Sequence, residues 1–215
     1  MRRTLTTLVT SLALAGCSVV GIRSGTEEPR FEVVAQLDGG VEVRRYGPRL
    51  VAETVVPGQD DGEARGAAFR VLAGYIFGGN RGEAEIAMTA PVEVDGSRIA
   101  MTAPMETAPA ATASGEAGLV MRFTMPAGYT RATLPEPADP RVRIVEVPEE
   151  TMAVLGFTGS TAAAAVAAQQ ERLGAVLAGS TWRATGPAVA LFYDPPWTLP
   201  FRRRNEVAVP VAPRD

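Results

Sequence analysis

Six residues, Ile-Ala-Met-Thr-Ala-Pro, occur twice, at 86–91 and again at 99–104, with Asp95-Gly96 between the copies. Each copy carries a methionine at the same place, Met88 and Met101. A thioether is soft and polarizable and suits the surface of an irregular apolar ligand. A second constellation stands near the C-terminus, where Tyr193-Asp194-Pro195-Pro196-Trp197-Thr198-Leu199-Pro200-Phe201 is followed directly by Arg202, Arg203 and Arg204. Aromatic rings in a proline-stiffened loop beside guanidinium groups suit a flat apolar ligand with carboxylates, which arginine grips bidentately. Structural alternatives stand beside both readings. The methionines would fill gaps in a core, and the loop would pack on the fold with its arginines paired to acids such as Glu206.

Other chemistries are excluded by what the chain lacks. It has no histidine, so the usual general base, the usual zinc or haem ligand and any Ser-His or Cys-His pair are missing. Its single cysteine, Cys17, allows no disulfide. Thr89, Thr102 and the acids Asp60, Asp61 and Glu63 have no histidine or available cysteine to complete a nucleophilic site, so the expectation is a protein that is not an enzyme, with acid-only chemistry left open. A net charge of -3 argues against nucleic acid, which demands a basic surface.

These residues need a scaffold, and 215 residues with 46% hydrophobic content suggest one domain of roughly 150–200 residues with a real core. Phe31 to Leu37, the Asp38-Gly39-Gly40 turn and Val41 to Tyr46 read as a strand pair, and Leu50 to Val56 as a further strand. Residues 62–77 read as a helix, with Asp60 or Asp61 as cap and Gly78-Gly79 as stop. The two repeated phrases read as a hairpin turned at Asp95-Gly96, with Pro91 and Pro104 marking strand ends. Leu119 to Met125 closes the first half, and residues 107–118, small and polar, read as a loop.

The second half repeats this order: strands at Val142 to Val147 and Met152 to Phe157, then a helix at 160–178 capped by Ser160 or Thr161 and ended by Gly179. Strands at Val189 to Tyr193 and Glu206 to Val209 complete it. Two like halves predict an α+β domain whose strands form one barrel with a helix on each side. The first helix carries two neighbouring apolar stripes, Ala68-Val71-Leu72-Tyr75 and Phe69-Leu72-Ala73-Ile76, more than a single core-facing stripe requires. The second helix has a narrower one, Val166, Leu173 and Leu177. Either the sheet curls round the first helix or a hydrophobic cleft lies beside Phe69, Leu72 and Ile76.

The N-terminus reads as an address. Arg2 and Arg3 precede an apolar run, Leu8 to Ala15, too short to span a bilayer. The run ends in Leu14-Ala15-Gly16-Cys17, which resembles a bacterial lipobox. That resemblance implies a signal peptide over residues 1–16, cleavage before Cys17, acyl chains on Cys17 and a membrane-anchored, periplasm-facing protein. Ser18 points weakly to the outer membrane by the same family rule. Residues 17–30 are then lipidated cysteine and tether, and 31–215 the domain.

Taken together, Val41-Glu42-Val43-Arg44-Arg45-Tyr46, Tyr75-Ile76-Phe77-Gly78-Gly79-Asn80, Ile86 to Val92, and Tyr193 to Trp197 with Arg203-Arg204-Asn205-Glu206 resemble the SOUL/haem-binding-protein family across residues 31–210. The resemblance implies a distorted, mainly antiparallel eight-stranded β-barrel of pseudo-twofold form, flanked by two α-helices. It further implies haem or another tetrapyrrole in a cleft bordered by Phe69, Leu72, Ala73 and Ile76 and by Tyr193 through Phe201. Met88 and Met101 would lie near its lining, and Arg202 or Arg203 would hold a propionate. Some members are thought to ligate iron through histidine, so here only apolar contact or Met or Tyr ligation remains. The expected function is a carrier or buffer for a tetrapyrrole at the cell envelope. The alternatives are a module for other apolar small molecules and a protein-interaction module.

Overall fold

The computed structural model describes residues 26–58, 62–95 and 118–214. Strands β1 (Phe31–Leu37) and β2 (Val41–Tyr46) form the expected antiparallel pair, Phe31 opposite Tyr46. The link between them succeeds because Gly39 and Gly40 take φ of 67° and 79°, which side chains avoid. Strand β3 (Arg49–Pro57) follows, then helix α1 (Gly62–Ile76). The helix stops where expected: Gly78 turns left-handed at φ 101°, and the Gly79 N–H returns to the Gly74 carbonyl at 2.8 Å. Asn80 fixes the exit, its amide nitrogen donating to the Tyr75 and Ala84 carbonyls. The expected caps Asp60 and Asp61 lie outside the described residues.

Strands β4 (Val92–Asp95), β5 (Gly118–Thr124), β6 (Arg143–Val147) and β7 (Glu150–Phe157) lead to helix α2 (Ala163–Ala178). That helix is capped one or two residues later than the predicted Ser160 or Thr161: Ala162 occupies the cap position without a side-chain bond. The Ser160 hydroxyl instead accepts the Ala162 N–H at 3.1 Å, a local turn that competes with helix. Gly179 ends it as anticipated. Strands β8 (Trp182–Ala184), β9 (Val189–Phe192) and β10 (Asn205–Pro213) complete the chain.

The strand pairs are all antiparallel, in the order β1-β2-β7-β10-β9-β4-β5-β3-β6, with β8 added on β10. The path has two ends, so the sheet is a curled half-barrel with two helices. Ten strands replace the expected eight because β1 and β8 are additions. The remaining eight read the same from either end when β2, β3, α1, β4 and β5 are matched to β6, β7, α2, β9 and β10. This is the pseudo-twofold arrangement. Its halves interlock, since β2 pairs with β7 and β3 with β6.

The predicted hairpin of repeated phrases is not how the first copy folds. Residues 86–91 precede β4 as irregular chain with one isolated bridge, Thr89 to Glu27, and the ladder begins only at Val92. Pro91 has no N–H to give a ladder, and β4 finds its partners in β5 and β9. The second copy, with Met101, lies outside the described residues.

Alternation separates the two faces of the sheet. One face takes both helices: Ala68, Leu72, Tyr75 and Ile76 of α1 pack with Ala52, Met121 and Phe123, while Val166, Leu173 and Leu177 of α2 pack with Val43, Leu155 and Val207. The other face carries Tyr46, Met152, Val154, Leu191, Tyr193 and Ala208. It also carries a charged ladder across four strands. Buried Glu53 accepts from Arg122 at 2.8 Å and Arg143 at 2.6 Å, and Arg122 donates to Glu93 at 2.6 Å.

Candidate functional site

Phe69, Leu72, Ala73 and Ile76 share one side of α1, yet they divide by burial. Leu72 and Ile76 are sealed in the core at 0% and 1% exposure, so they fasten the helix to the sheet. Ala73 is half-buried, and Phe69 remains 40% exposed. The Phe69 ring meets Phe123 of β5 edge-on, 5.4 Å between centroids. Arg65, one turn earlier, lays its guanidinium 4.9 Å over the ring of Phe192 on β9. Phe192 and Val92 are both half-buried on this face, at the junction of the two halves. Arg65 also donates to the Thr161 carbonyl just before α2. A seam therefore runs beside α1 over the central strands, with an aromatic floor and one guanidinium.

The C-terminal loop meets the chain that leads into α2, where the Pro200 carbonyl accepts the Gly159 N–H at 2.9 Å. Trp197 and Phe201 are 63% and 68% exposed. Arg202 is exposed on the same turn. Arg203 is committed to the loop itself, donating to the carbonyls of Thr198 at 2.8 Å and Pro196 at 2.6 Å. Of the two propionate candidates, Arg203 therefore serves as a loop staple.

Tyr193 lies on the opposite face from Phe69, since it follows Phe192 in an alternating strand. It is buried, its hydroxyl donates to Glu206 at 2.6 Å, and the Arg204 guanidinium covers its ring at 3.8 Å. Burial, then the charge of Glu206, pushes its pKa well above the ordinary tyrosine value. Met88 is 40% exposed beside the Thr89–Glu27 bridge. The structure thus brings Phe69 to the seam, leaves Trp197 and Phe201 exposed on the C-terminal loop, and takes Tyr193, Leu72 and Ile76 into the interior. Arg65, Phe123 and Phe192 were missed from sequence. Their signal was faint: Phe123 and Phe192 sit in ordinary alternating strands, and one arginine on a helix has no marker of its own.

The residues present fit a porphyrin plane better than an axial bond. Phe69, Val92 and Phe192 suit the ring, with buried Phe123 supporting Phe69 from beneath, and Arg65 suits a carboxylate. For the iron the chain has no histidine, and burial holds Tyr75, raised to about 12, and Tyr193 in the protonated form. Among the described residues, no three His, Cys, Asp or Glu side chains cluster as a metal site.

Two hollows lie elsewhere. One of about 780 Å³ follows the outer side of α1, between Arg70 and Asp139. The other, about 500 Å³, opens between residues 27–30, the start of β3 and the chain after β5. Its wall shows that residues 27–30 are docked on the domain, where sequence suggested a tether. The Glu27 carbonyl accepts the Ala90 N–H at 3.0 Å and its carboxylate the Ala127 N–H at 2.8 Å. Arg204 donates to both oxygens of Glu28, at 3.1 and 3.0 Å.

The fold that carries the seam is a pseudo-duplicated α+β half-barrel with two helices. Residues 26–210 match the SOUL heme-binding protein family, and the chain belongs to that family. Heme-binding protein 2 of Mus musculus is similar, 27% identical over 201 residues that cover 87% of this chain and 90% of the relative. Among solved structures, the EcmrR C-terminal domain superposes with a TM-score of 0.57 at 10% identity, covering 80% of this chain and 97% of that domain. A hydrolase from Listeria innocua superposes at 0.53 and 13% identity, covering 83% and 94%. These last two are likenesses of fold alone.

Proposed function

We propose that this chain is a non-enzymatic envelope lipoprotein that holds haem or a related tetrapyrrole in the seam beside α1, as a carrier or buffer. The observation that carries the reading is Phe69, a large aromatic side chain left 40% exposed directly against Phe123. Membership of the SOUL heme-binding protein family supports the ligand class. The chain's own residues would stack on the ring and exclude water from it, while Arg65 meets a propionate. Burial of the ring's faces supplies the affinity, at about 25 cal/mol per Å² of apolar area, less the cost of association.

The envelope address rests on Leu14-Ala15-Gly16-Cys17. Cys17→Ala should abolish lipid labelling and leave the precursor uncleaved; a wild-type protein free of lipid in the cytosol would overturn the address. For the ligand, the test is titration of the full chain with haemin and with metal-free porphyrin, alongside Phe69→Asp. Saturable binding of both, weakened together in the variant, is expected. Binding of neither would overturn the tetrapyrrole and favour another apolar ligand.

A further inference from the structure

We propose that the loop from Asp194 to Arg203 is a membrane-docking surface whose Trp197, Leu199 and Phe201 sit in the interfacial layer of the bilayer that carries the lipid anchor. This goes beyond the ligand and rests on the anchored address in the proposed function.

The loop is stiff, and it presents its apolar side chains outward. Trp197, Leu199 and Phe201 are 63%, 39% and 68% exposed, while Thr198 between them is buried. Several polar groups of the loop are bonded within it. The Thr198 N–H donates to the Pro195 carbonyl at 3.0 Å, and the Arg202 N–H to that of Leu199 at 2.8 Å. Arg203 ties the Pro196 and Thr198 carbonyls together, and Asp194 accepts the Arg204 N–H at 2.7 Å. A loop braced in this way keeps two aromatic rings in contact with water, which is costly unless something covers them.

The chain's own anchor indicates what covers them. Residues 27 and 28 enter the fold at the base of this loop, through the Glu28–Arg204 pair. From Cys17 to Glu27 the chain runs about ten residues, a reach of at most roughly 35 Å. An acylated Cys17 therefore holds a bilayer within reach of the loop. Met88, 40% exposed beside the Glu27 bridge, adds apolar surface at the same entry point. Tryptophan settles at the bilayer–water boundary, where its ring meets acyl chains and its N–H meets headgroups. Arg202, exposed on the same turn, suits anionic headgroups.

The test uses the mature lipoprotein reconstituted in vesicles of phosphatidylcholine and phosphatidylglycerol, with and without brominated acyl chains. Trp197 and Trp182 are the two tryptophans, and Trp182 packs in the α2 cluster. Brominated lipid should cut the Trp197 share of the emission by about half or more, and Trp197→Phe should leave the rest unquenched. Leu199→Ser with Phe201→Ser should reduce the quenching at least about twofold. Mass spectrometry of Cys17 on the same sample separates the two claims. Quenching without lipid on Cys17 supports the surface and discards the anchor. Lipid on Cys17 with unquenched Trp197 overturns the surface and leaves it to a protein partner.

Discussion

The Tyr193 hydroxyl donates a 2.6 Å hydrogen bond to Oε2 of Glu206, joining a loop-entry residue to the middle of the sheet. The same oxygen receives Nη1 of Arg44 from β2 at 3.0 Å, and Oε1 receives Arg204 at 3.2 Å. Glu206 is 3% exposed, so its charge is tolerable only because donors surround it. Tyr193→Phe removes one donor from a buried carboxylate and should lower stability by about 1–3 kcal/mol in urea unfolding. A loss below about 0.5 kcal/mol would mean that the arginines alone satisfy Glu206.

Alkaline pH should weaken the fold. Burial is the leading cause that raises Tyr75, to about 12, and also raises Tyr46 and Tyr193. Unfolded tyrosine ionises near pH 10, so above that the folded chain binds protons that the unfolded chain has released. The stabilisation is whole below about pH 10 and lost as pH climbs toward 12 and beyond. Each buried tyrosine adds a slope of at most about 1.4 kcal/mol per pH unit. Urea midpoints should be level up to about pH 9.5 and fall above about pH 10, less steeply in Tyr75→Phe. A level profile to about pH 12 would contradict this.

Two glycines close together should answer alanine with opposite signs. A Cβ on Gly79 would lie 2.5 Å from the Gly74 carbonyl oxygen, a backbone atom that cannot move aside. Gly79→Ala should cost about 1–3 kcal/mol. At Gly74, inside α1, a Cβ meets open space, and alanine should gain about 0.5–1 kcal/mol through helix propensity. Thermal unfolding of both variants checks the pair; like signs would contradict the helix-end geometry.

What the sequence made legible was mostly local. The Gly39-Gly40 turn, the Gly78-Gly79 stop and the order of elements in each half follow from short-range chemistry. The pairing of β2 with β7 and of β3 with β6 spans about a hundred residues and leaves no local signature. Nothing local in the sequence marks the pairing of Glu53, Arg122, Glu93 and Arg143 across four strands, because each simply alternates with apolar neighbours. The repeated phrase misled, because Met88 and Thr89 read as strand while Pro91 postpones the ladder to Val92. For the site, the excess apolar width of α1 pointed to Phe69. It did not separate Phe69 from Leu72 and Ile76, since helical periodicity cannot tell a core position from a cleft position one residue round the turn.

The central claim is a tetrapyrrole held in the seam by apolar contact, without a strong axial ligand. Equilibrium titration of the full chain with haemin and with metal-free porphyrin, each repeated on Phe69→Asp with urea unfolding as the control for folding, tests it most directly. Strong axial ligation would add more than roughly 1.4 kcal/mol, so the account predicts two affinities within about tenfold of each other. It predicts that Phe69→Asp, a charge placed in an apolar seam, weakens both by about tenfold or more while the variant stays folded. Binding that vanishes without iron, or that is unchanged in folded Phe69→Asp, would contradict it.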